Sequence, residues 1–191
     1  ITLTFKNQGE EDVKPGDLTV TLKGILLSDF TGIAAETLKN EQTIEGRSEL
    51  NPEGGEITID FTPEGGAHYT QPISGSFYDV NIYASYVYRY KTHVSVPQVC
   101  FKENLRDKRV CEVEEEKEAY VSGAPIQVKN KVKEKPAGPG KIALEFEVEN
   151  VGGGQVTKPG ENFDPRFGKL VYTLEPESER SKWRCTSAGK E

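Results

Sequence analysis

A motif that occurs twice constrains the fold of this chain more than any other feature of the sequence. Residues 3–9 (LTFKNQG) and 146–152 (FEVENVG) both alternate apolar and polar side chains and end in Asn-x-Gly. A Pro-Gly turn follows each copy, within residues 13–17 (VKPGD) and 156–161 (VTKPGE). Strand, Asn-Gly-type turn, Pro-Gly turn and strand in this order are typical of β-sandwiches. The repeat therefore predicts two tandem β-sandwich domains.

An alternating strand is predicted after each Pro-Gly turn. Its apolar positions are Leu18, Val20 and Leu22 in the first copy, and Leu170, Tyr172 and Leu174 in the second. We expect an all-β chain of two tandem Ig-like β-sandwich domains, each incomplete within this chain. The predicted divisions are an Ig-like sandwich over 1–98, a Cys-containing acidic connector or hairpin over 99–121, and a second, truncated or partner-completed sandwich over 122–191.

Each copy lacks strands that the other has. A strand predicted over residues 126–133 precedes the second motif, whereas nothing precedes Ile1. The first copy continues far beyond Leu22, to Pro97, whereas the sequence ends soon after Leu174. Either this sequence is a segment of a longer chain, or subunits complete one another by strand addition, as in donor-strand assembly. A minimal second domain is the remaining alternative.

The strands that border the open edges are the interface candidates. A half-sandwich exposes an apolar face and unpaired backbone groups, and both favour association. The apolar positions of these strands are Ile1, Leu3, Phe5, Leu170, Tyr172 and Leu174.

Residues 77–96 alternate over an unusual length. Neither Gly nor Pro interrupts them until Pro97. One continuous strand of this length would span on the order of 60 Å, which a sandwich cannot bury. The segment therefore bends or bulges between sheets, turns near residues 89–91, or projects from the domain. If it overhangs the core, a surface for sugar rings or a neighbouring subunit is predicted; otherwise its aromatic side chains are core. The binding-surface candidates are Tyr83, Tyr86, Tyr88 and Tyr90.

The three cysteines favour an oxidising environment. Cys100 and Cys111 flank a polar stretch, and a hairpin-like excursion there would bring them to disulfide distance. Two reduced thiols in a cytosolic β-protein are the alternative. Cys185 is left over, which allows an intermolecular pair, a partner elsewhere or a free thiol. The balance favours an extracellular or cell-surface location.

Composition argues against several classes of function. The net charge is −7 with both signs interspersed, which is unlike a nucleic-acid surface. No apolar run approaches the roughly 20 residues of a membrane helix. There is no CxxC motif and there are only two histidines, so we expect no metal site. No phosphate-loop ending, nucleophile elbow or catalytic triad is recognisable, so we expect neither a cofactor nor an enzyme.

The repeated motif resembles CARDB-like and related Ig-like modules of secreted prokaryotic, often archaeal, surface proteins. The matching positions in the first copy are Leu3, Phe5, Asn7 and Gly9, and those in the second are Phe146, Val148, Asn150 and Gly152. Residues 77–80 (FYDV) resemble the late strand of the family. The resemblance implies an extracellular adhesion, spacer or structural role without catalytic residues.

From these features we expect a non-enzymatic extracellular structural protein that works with neighbouring copies of itself. It would be a subunit of a cell-surface filament, sheath or stalk, assembled through sandwich edges. The alternatives are a carbohydrate- or protein-binding module that uses the tyrosine-rich strand, and an accessory domain of a larger secreted enzyme.

Overall fold

The structure is a computed structural model that describes residues 1–185 except 64, 108, 162, 165, 167 and 176. The last six residues of the predicted second domain, 186–191, lie outside the described residues. The chain divides into two compact units, residues 1–152 and residues from 153 onward. The domain boundaries predicted at residues 98 and 122 do not coincide with this division, which falls inside the predicted second domain, and they stay a prediction.

The fold is nearly all β, as the sequence predicted, with antiparallel sheets throughout. Two short 3-10 helices, Leu27–Asp29 and Glu177–Lys182, are also present. The strands of the described residues are β1 Thr2–Lys6, β2 Leu18–Lys23, β3 Phe30–Thr31, β4 Thr37–Lys39, β5 Glu56–Asp60, β6 His68–Tyr69, β7 Tyr83–Tyr88, β8 Val94–Ser95, β9 Glu115–Glu118, β10 Tyr120–Val121, β11 Ile126–Val128, β12 Lys131–Gly138, β13 Lys141–Glu145 and β14 Val148–Asn150.

The first β-sandwich packs the sheet β1–β5 against the sheet β4–β2–β7. Alternation along each strand directs one set of side chains into the core and the other set to solvent. In β2, Leu18, Val20 and Leu22 are buried while the two threonines between them are half-exposed. Ile59 of β5 and the following Phe61 are buried opposite them, and Leu3 and Phe5 of β1 pack against this core. β3 and β6 form a separate two-stranded sheet.

The Asn-x-Gly motif forms the same turn in both copies. The Oδ1 atom of Asn7 accepts a hydrogen bond from the backbone N–H of Gly9 at 3.1 Å, and Oδ1 of Asn150 accepts one from Gly152 at 3.0 Å. The glycine is needed for close packing, since a Cβ at Gly9 would lie 2.7 Å from the carbonyl oxygen of Gly123. The repeat seen in the sequence is thus a structural repeat at these residues.

The long alternating segment of residues 77–96 is broken into two strands in different sheets. β7 pairs with β2 of the sandwich, whereas β8 pairs with β10. Residues 89–93 between them are irregular. The segment therefore passes from one sheet to another, and the break lies close to residues 89–91, where the sequence also allowed a turn.

The predicted connector over 99–121 contains the disulfide and an edge strand. The Cα atoms of Cys100 and Cys111 lie 6.1 Å apart and their sulfurs are bonded, as their spacing predicted. The Cys100 N–H donates to Oε1 of the buried Glu134 at 2.7 Å. Lys117 Nζ lies 3.4 Å from Oε2 of Glu134, an ion-pair distance without hydrogen-bond geometry. The strand predicted over 126–133 is instead divided between β11 and β12.

The glutamate-rich end of the predicted connector forms β9, Glu115–Glu118, which pairs with the lysine-rich strand β12. β12 is the central strand of the sheet β13–β12–β9, so its lysines do not guard a sheet edge. Lys131 pairs with Glu116 of β9 at 3.0 Å, and Lys135 pairs with Glu145 of β13 at 2.6 Å. Both pairs are diagonal neighbours across the sheet, and opposite charges within such reach stabilise the strand pairing.

The second unit has no strand among its described residues. The strand predicted at Leu170, Tyr172 and Leu174 is therefore wrong for this structure, where residues 168–174 are irregular and Leu170 and Tyr172 are exposed. Alternation alone does not form a strand, because a strand also needs a partner for its backbone groups. Cys185 is exposed in this unit.

Candidate functional site

One edge of β1 is paired with β5 and the other is open. Asn7 donates its backbone N–H to Gly55, and the Ile1 carbonyl accepts from Phe61, both at 2.9 Å. Backbone groups alternate in direction along an antiparallel strand, so the odd positions of β1 face β5. The even positions, Thr2, Thr4 and Lys6, therefore direct their backbone N–H and C=O groups away from β5. Among the described residues, these groups have no hydrogen-bond partner.

The outer edge of β7 is open in the same way. The Arg89 N–H donates to the Asp17 carbonyl at 3.0 Å, which continues the pairing of odd positions with β2. The backbone groups of Ala84, Tyr86 and Tyr88 consequently face away from β2. β7 therefore ends the three-stranded sheet on one side, as β4 does on the other.

The two open edges lie on one side of the sandwich. Phe5 of β1 contacts Tyr86 of β7 edge to face, with ring centroids 5.5 Å apart. On the other side, the Phe61 carbonyl after β5 accepts a hydrogen bond from Ala34, which precedes β4. β1 thus covers β7, and β5 lies toward β4. We call the side formed by the outer edges of β1 and β7 the open side.

Two tyrosine side chains on the open side point toward the sandwich interior but remain exposed. Tyr86 and Tyr88 lie opposite the buried Val20 and Leu18, so all four point toward the sandwich interior. Tyr86 is nevertheless 56% exposed and Tyr88 41% exposed. A two-stranded sheet covers a three-stranded one only in part, and β1 leaves the inward-facing tyrosines of β7 about half uncovered. The open side therefore presents exposed aromatic side chains between two unpaired strand edges, that of β1 in one sheet and that of β7 in the other.

The four predicted binding-surface tyrosines do not form one surface. Tyr83 lies on the outer face of β7, opposite the face of Tyr86 and Tyr88. Tyr90 is half-buried against the core; its hydroxyl accepts from the Glu11 N–H at 3.1 Å. Burial raises the pKa of the Tyr90 hydroxyl above its usual range, and that of Tyr88 as well. Tyr90 thus packs with the core, the alternative that the sequence left open for these aromatic side chains, and ligand binding by the four tyrosines stays a prediction.

The edge that is open in the first copy is paired in the second. Lys129 donates to the Glu147 carbonyl at 2.8 Å, and Val151 donates to the Pro125 carbonyl at 2.9 Å, so β14 bonds β11 through these positions. In the aligned motifs, Glu147 corresponds to Thr4. β11 therefore occupies the edge of β14 that is equivalent to the outer edge of β1.

A second feature is a pocket of about 360 Å³ at the β3–β6 sheet, lined by aromatic, aliphatic and polar residues. Tyr69 stacks on Tyr78 with ring centroids 4.9 Å apart, and Phe30 lies 5.3 Å from Tyr69. Burial, the Tyr78 hydroxyl and the Asp29 carboxylate raise the pKa of Tyr69. Sequence reasoning missed this pocket because its residues are far apart along the chain.

No group of three or more potential metal ligands lies together among the described residues. Within the same residues, no helix has the length and apolar character that crossing a membrane requires. Comparisons of the chain with protein families, with curated proteins and with solved structures found no match. The resemblance to CARDB-like modules therefore stays a prediction, and the open side carries the functional argument.

Proposed function

We propose that this chain is a non-enzymatic extracellular structural protein, a subunit of a cell-surface filament, sheath or stalk. In this proposal the open side of the first sandwich is its functional site. A strand from a neighbouring polypeptide adds to the outer edge of β1 and covers Tyr86 and Tyr88. The chemistry is strand addition, in which backbone hydrogen bonds supply affinity and alternate side chains supply specificity.

The observation that carries the proposal is the exposure of Tyr86 and Tyr88 beside the unpaired outer edge of β1. An aromatic side chain buries about 150–250 Å² in a core, so two half-exposed tyrosines leave on the order of 200 Å² uncovered. Covering that area contributes about 5 kcal/mol of gross hydrophobic free energy. The backbone groups of Thr2, Thr4 and Lys6 supply hydrogen bonds to the same strand.

The Cys100–Cys111 disulfide supports the extracellular part of the proposal, because disulfides persist mainly in oxidising compartments. The alternative of ligand binding by the tyrosine-rich strand has less support. Tyr90 packs against the core, and Tyr83 lies on the face of β7 opposite to that of Tyr86 and Tyr88. Tyr86 itself contacts Phe5. A role as an accessory domain of a larger secreted enzyme stays a prediction.

Electron microscopy of the native, unreduced protein tests this function. We expect regular fibres, tubes or sheets, together with sedimentation of material far larger than one chain. The proposal would be contradicted by dispersed single chains at every concentration examined, up to the onset of nonspecific precipitation.

A further inference from the structure

We infer that the added strand is residues 170–174 of a second copy of this chain, antiparallel to β1, with Tyr172 opposite Phe5. This inference rests on the proposed function and deepens it by naming the partner. The acceptor is the outer edge of β1, and the donor is a segment that forms no strand in its own unit.

The donor segment consists of residue types that favour β-strands, although it forms no strand in the structure. Leu170, Tyr172 and Leu174 alternate with Val171 and Thr173, and all five residues are β-branched, aromatic or aliphatic. Leu170, Val171 and Tyr172 are each about half exposed. An exposed segment of this composition is a ready partner for an open sheet edge.

The second copy of the motif supplies the orientation and the register. β11 runs antiparallel to β14, and its Val128 lies opposite Val148, the equivalent of Phe5. A donor placed by the same rule has an apolar residue opposite Phe5 and another opposite Asn7, because Ile126 lies opposite Asn150. Tyr172 and Leu170 satisfy both positions, and Leu174 then lies opposite Leu3.

The same register assigns the remaining donor residues. Val171 and Thr173 then face outward, and their backbone groups bond Lys6 and Thr4. Tyr172 faces the exposed rings of Tyr86 and Tyr88. A slip of one residue would turn Tyr172 to solvent and lose this contact.

Charge favours the antiparallel orientation. Glu10, Glu11 and Asp12 follow β1, and Lys169 precedes the donor segment. An antiparallel donor brings Lys169 toward these carboxylates, whereas a parallel donor would bring Glu175 there. Lys169 is now paired with Glu161 at 2.7 Å, and both side chains are about half exposed, so the pair exchanges at little cost.

The contact is heterologous, because donor and acceptor are different segments. Each copy offers one donor and one acceptor, so the contact propagates from copy to copy unless two copies exchange donors reciprocally or a ring closes. This is the geometry that a filament or sheath requires.

Cross-linking of two single-cysteine chains tests the donor assignment. One chain carries Thr4→Cys and the other Thr173→Cys, both in a Cys185→Ser background with the Cys100–Cys111 disulfide intact. Thr4 is exposed and residue 173 is irregular, so both variants should fold. After mixing and mild oxidation or addition of a short bismaleimide, we expect a reducible or covalent heterodimer. Its yield should exceed by about tenfold that of a control pair with Gln155→Cys as donor, owing to the effective concentration within the contact.

Three results overturn the inference. Equal yields from the Thr173→Cys and Gln155→Cys donors would show that residue 173 does not pair specifically with Thr4 of β1. A chain carrying both Thr4→Cys and Thr173→Cys that cross-links within itself at low concentration would assign the segment to its own sandwich. If a Thr173→Pro chain still forms the native assemblies, the donor lies elsewhere while the proposed function stands. Absence of any assembly in the unaltered chain would instead refute the proposed function.

Discussion

Replacing Phe61 with alanine is expected to lower the free energy of unfolding of the first sandwich by about 3–5 kcal/mol. Phe61 is fully buried at the end of β5, within the cluster that contains Val20 and Leu22. Small domains are stable by only about 5–15 kcal/mol, so this variant loses a large part of the total. Urea unfolding followed by circular dichroism and tyrosine fluorescence measures the loss.

Phe77→Ala is the matched control, because Phe77 is 73% exposed. We expect it to change the free energy of unfolding by no more than about 0.5 kcal/mol. If the two variants lost the same stability, the core assigned here to the first sandwich would be wrong.

Thr4→Pro is expected to leave the first sandwich folded and to prevent assembly. The N–H of Thr4 faces away from β5, so proline removes no hydrogen bond of the existing sheet, and proline is tolerated on such edges. In the assembled state the same N–H would bond the added strand. Its loss should raise the concentration needed for assembly by at least about tenfold.

Sedimentation velocity of Thr4→Pro and of the unaltered chain measures this effect. Thr4→Val is the control, because it keeps both the N–H and a β-branched side chain, and it should assemble normally. Circular dichroism and the urea midpoint establish that Thr4→Pro is folded. Normal assembly of a folded Thr4→Pro chain would show that the outer edge of β1 takes no strand.

Local patterns in the sequence were sufficient for several strands of the first sandwich. β1, β2 and β5 each have strict alternation between turn residues, and all three form with their apolar positions inward. The Asn-x-Gly motif also predicted a turn, because the amide of Asn7 bonds two residues ahead. These features depend only on residues close together in sequence, so they can be predicted from the sequence.

Features that depend on distant partners were not predictable in this way. Alternation through residues 77–96 did not reveal that β7 and β8 belong to different sheets. Residues 170–174 carry apolar side chains at alternate positions, as β2 does, yet residues 168–174 form no strand. The alternating lysines of β12 did not reveal that it is a central strand, because that depends on its pairing with β9 and β13.

The open side was predicted only in part. The open outer edge of β1 followed from comparing the two copies of the motif, since a strand was predicted before the second copy only. The open edge of β7 did not, because it depends on which strand ends the three-stranded sheet. The role of Tyr90 likewise required the structure, since its hydroxyl bonds residues that precede it by about 80 positions.

Amide hydrogen exchange at single residues tests the central claim, that the outer edge of β1 accepts a strand. In dispersed chains, the N–H groups of Thr4 and Lys6 should exchange rapidly, while those of Leu3 and Phe5, which face β5, are protected. In native assemblies we expect Thr4 and Lys6 to become as slow as their neighbours. If both N–H groups remain fast in intact assemblies, the edge is open there too, and the chain assembles through another surface.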